Sequence, residues 1–289
     1  MKPNTPHAVF TTADCISYGG HFYSISNLQD TFFGIVHCFM ADDLITNTEH
    51  PRARQLLRRM MQYFYKGFMQ SGADITSHFP NLIDPNSMLD VLTLCNYCIL
   101  SNVLDNRTYS FPGSNSSVAP SDEDYMKRVM WDYNEMSTLD REHSTYVRGL
   151  ARNLLRWISC HYDVTFEHST DPTPNVMKNV CIQYLVEQAC AILNYKKQAE
   201  DKKIVGLPYC LLKDVERQLD LVLRDEEAEA WMENKATFQE HNNLSFGDIS
   251  FTVAEKDRPL AFTGMACDFY YILCSWVLIP FWQSVIAWR

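Results

Sequence analysis

A neutral imidazole presented on a strand is a good ligand for a first-row metal, and His7 has the surroundings for that role. It opens the run His7-Ala8-Val9-Phe10-Thr11-Thr12-Ala13-Asp14-Cys15-Ile16-Ser17-Tyr18-Gly19-Gly20-His21-Phe22. Taken alone, a strand histidine is by default a hydrogen-bonded structural residue, so His7 needs partners before it means metal. The sole histidine followed at two places by an acid is in His161-Tyr162-Asp163. With nine histidines and thirty-five acids in the chain, chance alone supplies about one such triplet, and this one falls at the end of a predicted helix rather than on a strand. Cys95-Asn96-Tyr97-Cys98 spaces two thiols as in a zinc site, but it lies inside the apolar run Val91 to Leu100 with no second pair at zinc-finger distance. Two of four ligands do not make a zinc site, and the expected role of both thiols is core packing.

The elements that must position these residues are mostly helical. Residues 7 to 11 alternate with period two and predict a short strand, Thr12-Ala13-Asp14 a turn, and Ile16, Tyr18, Phe22 and Tyr23 a return strand with a bulge at Gly19-Gly20. The fold class expected is therefore mainly α: a short N-terminal β-hairpin followed by a helical domain. Ser26 or Asn27 caps a helix to about Leu44, with Leu28, Phe32, Ile35, Val36 and Phe39 as its apolar stripe. Pro51 opens a second through Leu57, Met61, Phe64 and Phe68 to a stop at Gly72, and Asp84-Pro85 opens a third with Leu89, Leu92, Cys95 and Ile99 inward. Further helices are predicted from Ser121 to about Met136, Thr138 to His161, Thr173-Pro174 to about Gln198, and Leu211 to about Asn234. The chain divides into 1–27 (hairpin), 28–104 (helical), 105–121 (loop or linker), 122–260 (helical) and 261–289 (apolar C-terminal segment).

The run from His7 to Phe22 resembles the end of the barrel of JmjC-type Fe(II)/2-oxoglutarate oxygenases, on the lysine-demethylase side and most closely the JmjC-like proteins of fungi. The family pattern His-Ala-Val-x-Thr-x-x-Asp-Cys-x-x-x-Gly-Gly-x-Phe is matched by His7, Ala8, Val9, Thr11, Asp14, Cys15, Gly19, Gly20 and Phe22. The resemblance covers about the first 65 residues and departs at His21, where that branch usually has Asn. It implies that His7 is the third iron ligand, that the hairpin is the remnant of a JmjC double-stranded β-helix, and that the complete protein uses Fe(II), 2-oxoglutarate and dioxygen to hydroxylate a carbon, typically a lysine N-methyl group, in the nucleus. The His-x-Asp or His-x-Glu pair of the family belongs several dozen residues before the last histidine, and six residues precede His7. Lys2 is too near His7 to stand in for the 2-oxoglutarate anchors. The expectation is thus a C-terminal part of such an oxygenase, without turnover of its own and with no iron or 2-oxoglutarate bound by this chain alone; the alternative is a non-catalytic helical interaction or scaffold protein.

Composition bounds the rest. A hydrophobic share of 46% over 289 residues favours a packed core. The formal charge of −10 speaks against broad nucleic-acid binding. Arg52, Arg54, Arg58 and Arg59 are a local exception, expected on a solvated helical face. Ten cysteines without a leading signal segment read as reduced thiols, and Asn106-Arg107-Thr108 and Asn115-Ser116-Ser117 as plain loop sequence. Phe269 to Trp288 is twenty residues without a formal charge, which at ~1.5 Å per residue reaches across a ~30 Å bilayer core. Pro280 and Gln283 weaken that reading, and three remain open: a tail anchor, a buried final helix, and a stretch outside the native coding frame.

Overall fold

A computed structural model describes residues 10–16, 24–41, 51–70, 79–109, 138–166, 179–203, 212–225 and 251–256. It is mainly helical: α1 (Leu28–Ala41), α2 (Pro51–Gln70), α3 (Pro85–Leu100), α4 (Thr138–His161), α5 (Val180–Asp201) and α6 (Leu212–Val222), with short 3-10 turns at Ile25–Asn27 and Asn106–Tyr109. Strands β1 (Tyr162–Phe166) and β2 (Phe251–Glu255) form an antiparallel pair with Val164 opposite Val253.

The third helix organises the others. Its N-terminus is fixed by Asp84, whose carboxylate accepts from the Ser87 amide at 2.9 Å and the Ser87 hydroxyl at 2.8 Å, with Pro85 in the first turn where its missing N–H costs nothing. Every residue from Met88 to Leu100 is buried. A helix buried all round must have neighbours on all sides, and α3 packs against α1, α2, α4, α5, α6 and β2. The helical regions on either side of residues 105–121 therefore share one core, in which Leu92, Leu94, Ile99, Leu154, Leu155, Val186 and Leu219 are all closed to solvent.

The flanking helices bury one stripe each. Leu28, Phe32, Val36 and Phe39 do so for α1, as their spacing predicts, while Ile35 is half-buried. Leu57, Met61, Phe64 and Tyr65 do so for α2. Gly67 lets the Phe79 ring lie directly against the α2 backbone, where a Cβ would collide with it, and the ring also stacks on Tyr63 at 4.8 Å. On α5, Asn179 caps the first turn by accepting from the Cys181 and Ile182 amides, and the Ser159 hydroxyl of α4 donates to the same oxygen at 2.5 Å. Glu200 near the end of α5 accepts from the Leu212 amide at 2.9 Å and so seats the start of α6.

Three sequence expectations change. The hairpin is not carried by its described part: Phe10 and Thr11 belong to no strand, and Phe10 and Ile16 are fully exposed. A two-stranded hairpin is marginal without a surface to cover it, and among the described residues nothing covers these side chains. The helix expected to reach Asn234 ends at Val222, because the Arg152 guanidinium of α4 takes the Val222 carbonyl and Arg156 pairs with Asp225 at 2.6 Å, turning the chain aside. The 122–260 region is not purely helical: α4 passes straight into β1 at Tyr162, and β2 pairs with it. The predicted ends at Leu44 and Gly72, the helix over 121–136 and the first residues of the helix from Thr173 lie outside the described residues, and α5 runs on to Asp201.

Candidate functional site

The polar chemistry of the described residues is gathered on two faces of α3, where side chains at helical spacing meet different neighbours. On the face toward α5, Thr93 and Asn96 stand one turn apart. Across from them Tyr184 and Gln188, also one turn apart, close a relay: the Asn96 amide donates to the Gln188 carbonyl oxygen, the Gln188 amide donates to the Tyr184 hydroxyl at 2.7 Å, and that hydroxyl shares a hydrogen with Thr93 Oγ1 at 3.1 Å. All four residues are buried. Burial pushes the Tyr184 phenol far above its usual range, so it stays neutral and serves as a hydrogen-bond relay.

Two carboxylates border this seam. Asp90, one turn before Thr93, accepts from the Gln29 amide at 3.4 Å. Burial pushes Asp90 up to about 6, against the downward pull of the Gln29 side chain and of the first backbone N–H groups of α1. Glu187 accepts from the Gln183 amide at 3.0 Å, and burial pushes it up to about 7. The seam's buried atoms without a hydrogen-bond partner, Asn96 Oδ1, Gln183 Oε1 and Glu187 Oε2, are all acceptors.

The other face of α3 meets α2 and α4 and is cationic. Arg54 donates to Asp105 at 3.2 Å and to the Leu104 carbonyl at 3.3 Å. Arg58 and Arg148 are 5% and 7% exposed, and Tyr97 and Cys98 lie buried between the helices that carry them. Burial pushes Tyr97 and Cys98 each up to about 12; the charges of Arg54 and Arg58 oppose this at Tyr97, and those of Arg58 and Arg148 at Cys98. Here the buried atoms Arg58 Nε and Tyr97 Oη are donors without an acceptor. The expectation that Arg54 and Arg58 lie on a solvated face is corrected: both turn toward α3 because α2 is covered by α3 on one side and α4 on the other. Arg59 remains exposed, and the Arg52 side chain lies outside the described residues.

The other predicted site residues are placed apart. His7 lies outside the described residues, as do Gly19, Gly20, Asn115 and residues 269–288, and among the described residues no helix is long and apolar enough to cross a membrane. Cys95 and Cys98 are buried in α3, Cys95 with its thiol held well above the usual range by burial and 3.9 Å from the Met61 sulfur. Neither is poised as a nucleophile. His161 stacks on Trp157 at 4.4 Å and bonds the Trp157 carbonyl through Nδ1 at 2.9 Å. Asp163 is exposed and faces Lys256 at 3.5 Å. Among the described residues no three His, Cys, Asp or Glu side chains converge on a point where one ion would be held. None of the seven described cysteines is in a disulfide.

The carboxamide relay and the buried arginines escape sequence reading. Thr93 and Asn96 sit in a run that reads as a uniform apolar helix, and helical period alone does not tell which neighbour a buried polar residue will meet. Tyr184 and Gln188 at i and i+4, opposite Thr93 and Asn96 at i and i+3, are the available signal. No family model, no curated protein and no solved structure matches this chain.

Proposed function

We propose that these 289 residues are the C-terminal part of a JmjC-like Fe(II)/2-oxoglutarate oxygenase, in which the helical body is a rigid platform beside the end of the barrel and does no chemistry alone. What supports this reading is the His7 to Phe22 pattern, joined within a few residues to a 3-10 turn and to α1, whose apolar stripe is locked into the core. A ligand is most precisely held when its chain leads straight into a packed element. In the complete protein His7 would be one ligand of the iron, and the metal with 2-oxoglutarate and dioxygen would supply the oxidising chemistry, with a methylated lysine in the nucleus as the substrate class. Among the described residues no further group of three metal-ligating side chains is present.

One imidazole cannot hold iron against water. The purified chain, supplied with Fe(II), ascorbate and 2-oxoglutarate, is expected to release no succinate above the protein-free blank, and His7→Ala is expected to leave that baseline unchanged. Iron-dependent succinate release by the unmodified chain, lost in His7→Ala, would overturn the claim that this polypeptide is incompetent.

A second reading, a non-catalytic interaction protein built on residues 28–260, is favoured by one observation. Leu56 and Tyr63, two turns apart on α2, leave a large part of their apolar surface exposed, as does Ile83. Capture of one partner in fixed stoichiometry, lost in Tyr63→Glu and kept in a chain lacking residues 1–23, would favour it. Anchoring through 269–288 is a lesser variant, tested by whether the protein stays with membranes through a carbonate wash.

A further inference from the structure

We propose that Gln183 and Glu187 form a proton-operated clasp at the α3–α5 seam, closed as a cyclic acid–amide pair when Glu187 is a neutral acid and opened when its proton leaves to water.

Half of the pair is already made. Gln183 and Glu187 stand one turn apart on α5, and the Gln183 amide donates to one Glu187 carboxyl oxygen at 3.0 Å. That bond leaves one oxygen on each planar group, Gln183 Oε1 and Glu187 Oε2, and both are buried without a hydrogen-bond partner. Two acceptors cannot satisfy each other, and a buried acceptor without a donor is unfavourable. A proton on Glu187 Oε2 makes that group a donor, and Gln183 Oε1 is the acceptor on the amide to which it is already joined. One proton therefore answers both orphaned oxygens and closes a ring of two hydrogen bonds. Burial favours the same form, raising Glu187 to about 7 against the pull of the Gln183 amide.

The clasp bears on the seam through Tyr184, three residues before Glu187, whose hydroxyl links Gln188 to Thr93 of α3. A charge on Glu187 acts on this buried hydroxyl, as does one on Asp90 of α3. The charges on the other helices around α5 are occupied elsewhere or turned away. Asp30 of α1 bears on Asp90, and His37 of α1 meets Tyr195, two turns beyond Glu187. Arg152 and Arg156 of α4 pair with Asp225. On α6, Lys213, Glu216 and Asp220 are exposed, while Asp214 and Arg217 are half-buried. Tyr162 of β1 feels Glu255, and Asp163 faces Lys256. Burial and Gln183 are the influences that act on Glu187 itself.

The test is infrared difference spectroscopy of the full chain between acidic and mildly alkaline pH. The carbonyl stretch of a neutral carboxylic acid is expected on the acidic side, lost on the alkaline side and missing from Glu187→Gln. In Gln183→Leu the acid loses both hydrogen bonds, and its band should move to higher frequency; a band that stays in place overturns the ring, and no Glu187 band at all overturns the clasp. Hydrogen exchange of the α5 amides reads the opening. Opening exposes a group that releases its proton, so protection should fall by up to ~10-fold per pH unit between pH 4.5 and about 7 and level off above. Glu187→Gln keeps a donor in the ring at every pH, and its protection should fall less steeply. Should Gln183→Leu fail to fold, these two slopes decide, and equal slopes sink the proposal. A saturable gain in protection when sodium or potassium replaces tetramethylammonium would put a cation where the proton is placed and would also overturn it.

Discussion

The two faces of α3 carry polar groups in similar number and bury them to a similar depth, yet they solve the problem of burial differently. Toward α5 the groups are neutral amides and hydroxyls that satisfy one another in sequence, from Asn96 through Gln188 and Tyr184 to Thr93. Toward α2 and α4 they are guanidinium groups, a carboxylate, a thiol and a phenol. A neutral relay needs good geometry alone, and it gives the helix pair a specific register. A buried charge needs a counter-charge as well, so the second face depends on its partners in a way the first does not. The difference teaches where sensitivity to substitution concentrates in a fold of this kind: at the face whose burial depends on paired charges.

The largest effect should come from breaking the ion pair on the cationic face. Asp105→Ala removes the carboxylate that Arg54 engages at 3.2 Å while the guanidinium remains only about a quarter exposed. A loss of about 3 kcal/mol in urea unfolding is expected, because an uncompensated charge stays partly buried. Asp105→Ala with Arg54→Met should recover much of it. A loss under about 0.5 kcal/mol would mean the pair behaves as a surface bridge, and the contrast between the faces would weaken.

Next in size is the neutral relay. Asn96→Leu and Gln188→Leu should each cost about 2 kcal/mol, since the first leaves the Gln188 carbonyl oxygen buried without its donor and the second leaves the Asn96 amide N–H buried without its acceptor. The double variant should cost less than the sum by more than about 1 kcal/mol, as groups in one network do not act independently. Additivity within experimental error would show that Asn96 and Gln188 do not depend on each other.

How much of this was legible in the sequence follows from the same contrast. Helical spacing gave the apolar stripes of α1, α2 and α3, because burying a hydrophobic face is a local pattern with a period. Caps were legible where a side chain acts on its own helix, as at Asp84 before Pro85. The strands were missed because each is five residues long and pairs with a segment almost ninety positions away; alternation at Tyr162, Val164 and Phe166 was the one cue, hidden by the helix running into it. The stop at Val222 was missed because a guanidinium seventy residues earlier takes its carbonyl. Arg58 reads as a surface residue until α4 is known to cover α2. The pattern from His7 to Phe22 suggested the most specific chemistry, and His7 lies outside the described residues.

The smallest expected effect separates the carboxylates that border the neutral relay from the relay itself. Burial raises Glu187 from 4.5 to about 7 and Asp90 from 3.8 to about 6. A carboxyl raised in the folded state holds a proton that the unfolded chain releases, so the unfolded state binds fewer protons in that window and stability falls as pH rises through it. Glu187 should therefore lower stability between pH 4.5 and about 7 and add no further slope above. His37, lowered by burial, acts in the opposite sense below pH 6.5 and cancels when variants are compared. Glu187→Gln keeps the shape and removes the titration. Its stability relative to wild type should rise by on the order of 2 kcal/mol between pH 5 and pH 8, at ~1.4 kcal/mol for each pKa unit and with allowance for partial exposure. Urea midpoints of both proteins across that range measure it. A constant difference would mean that Glu187 titrates at its ordinary value, and the seam would then be open to water rather than a closed relay with acids at its edge.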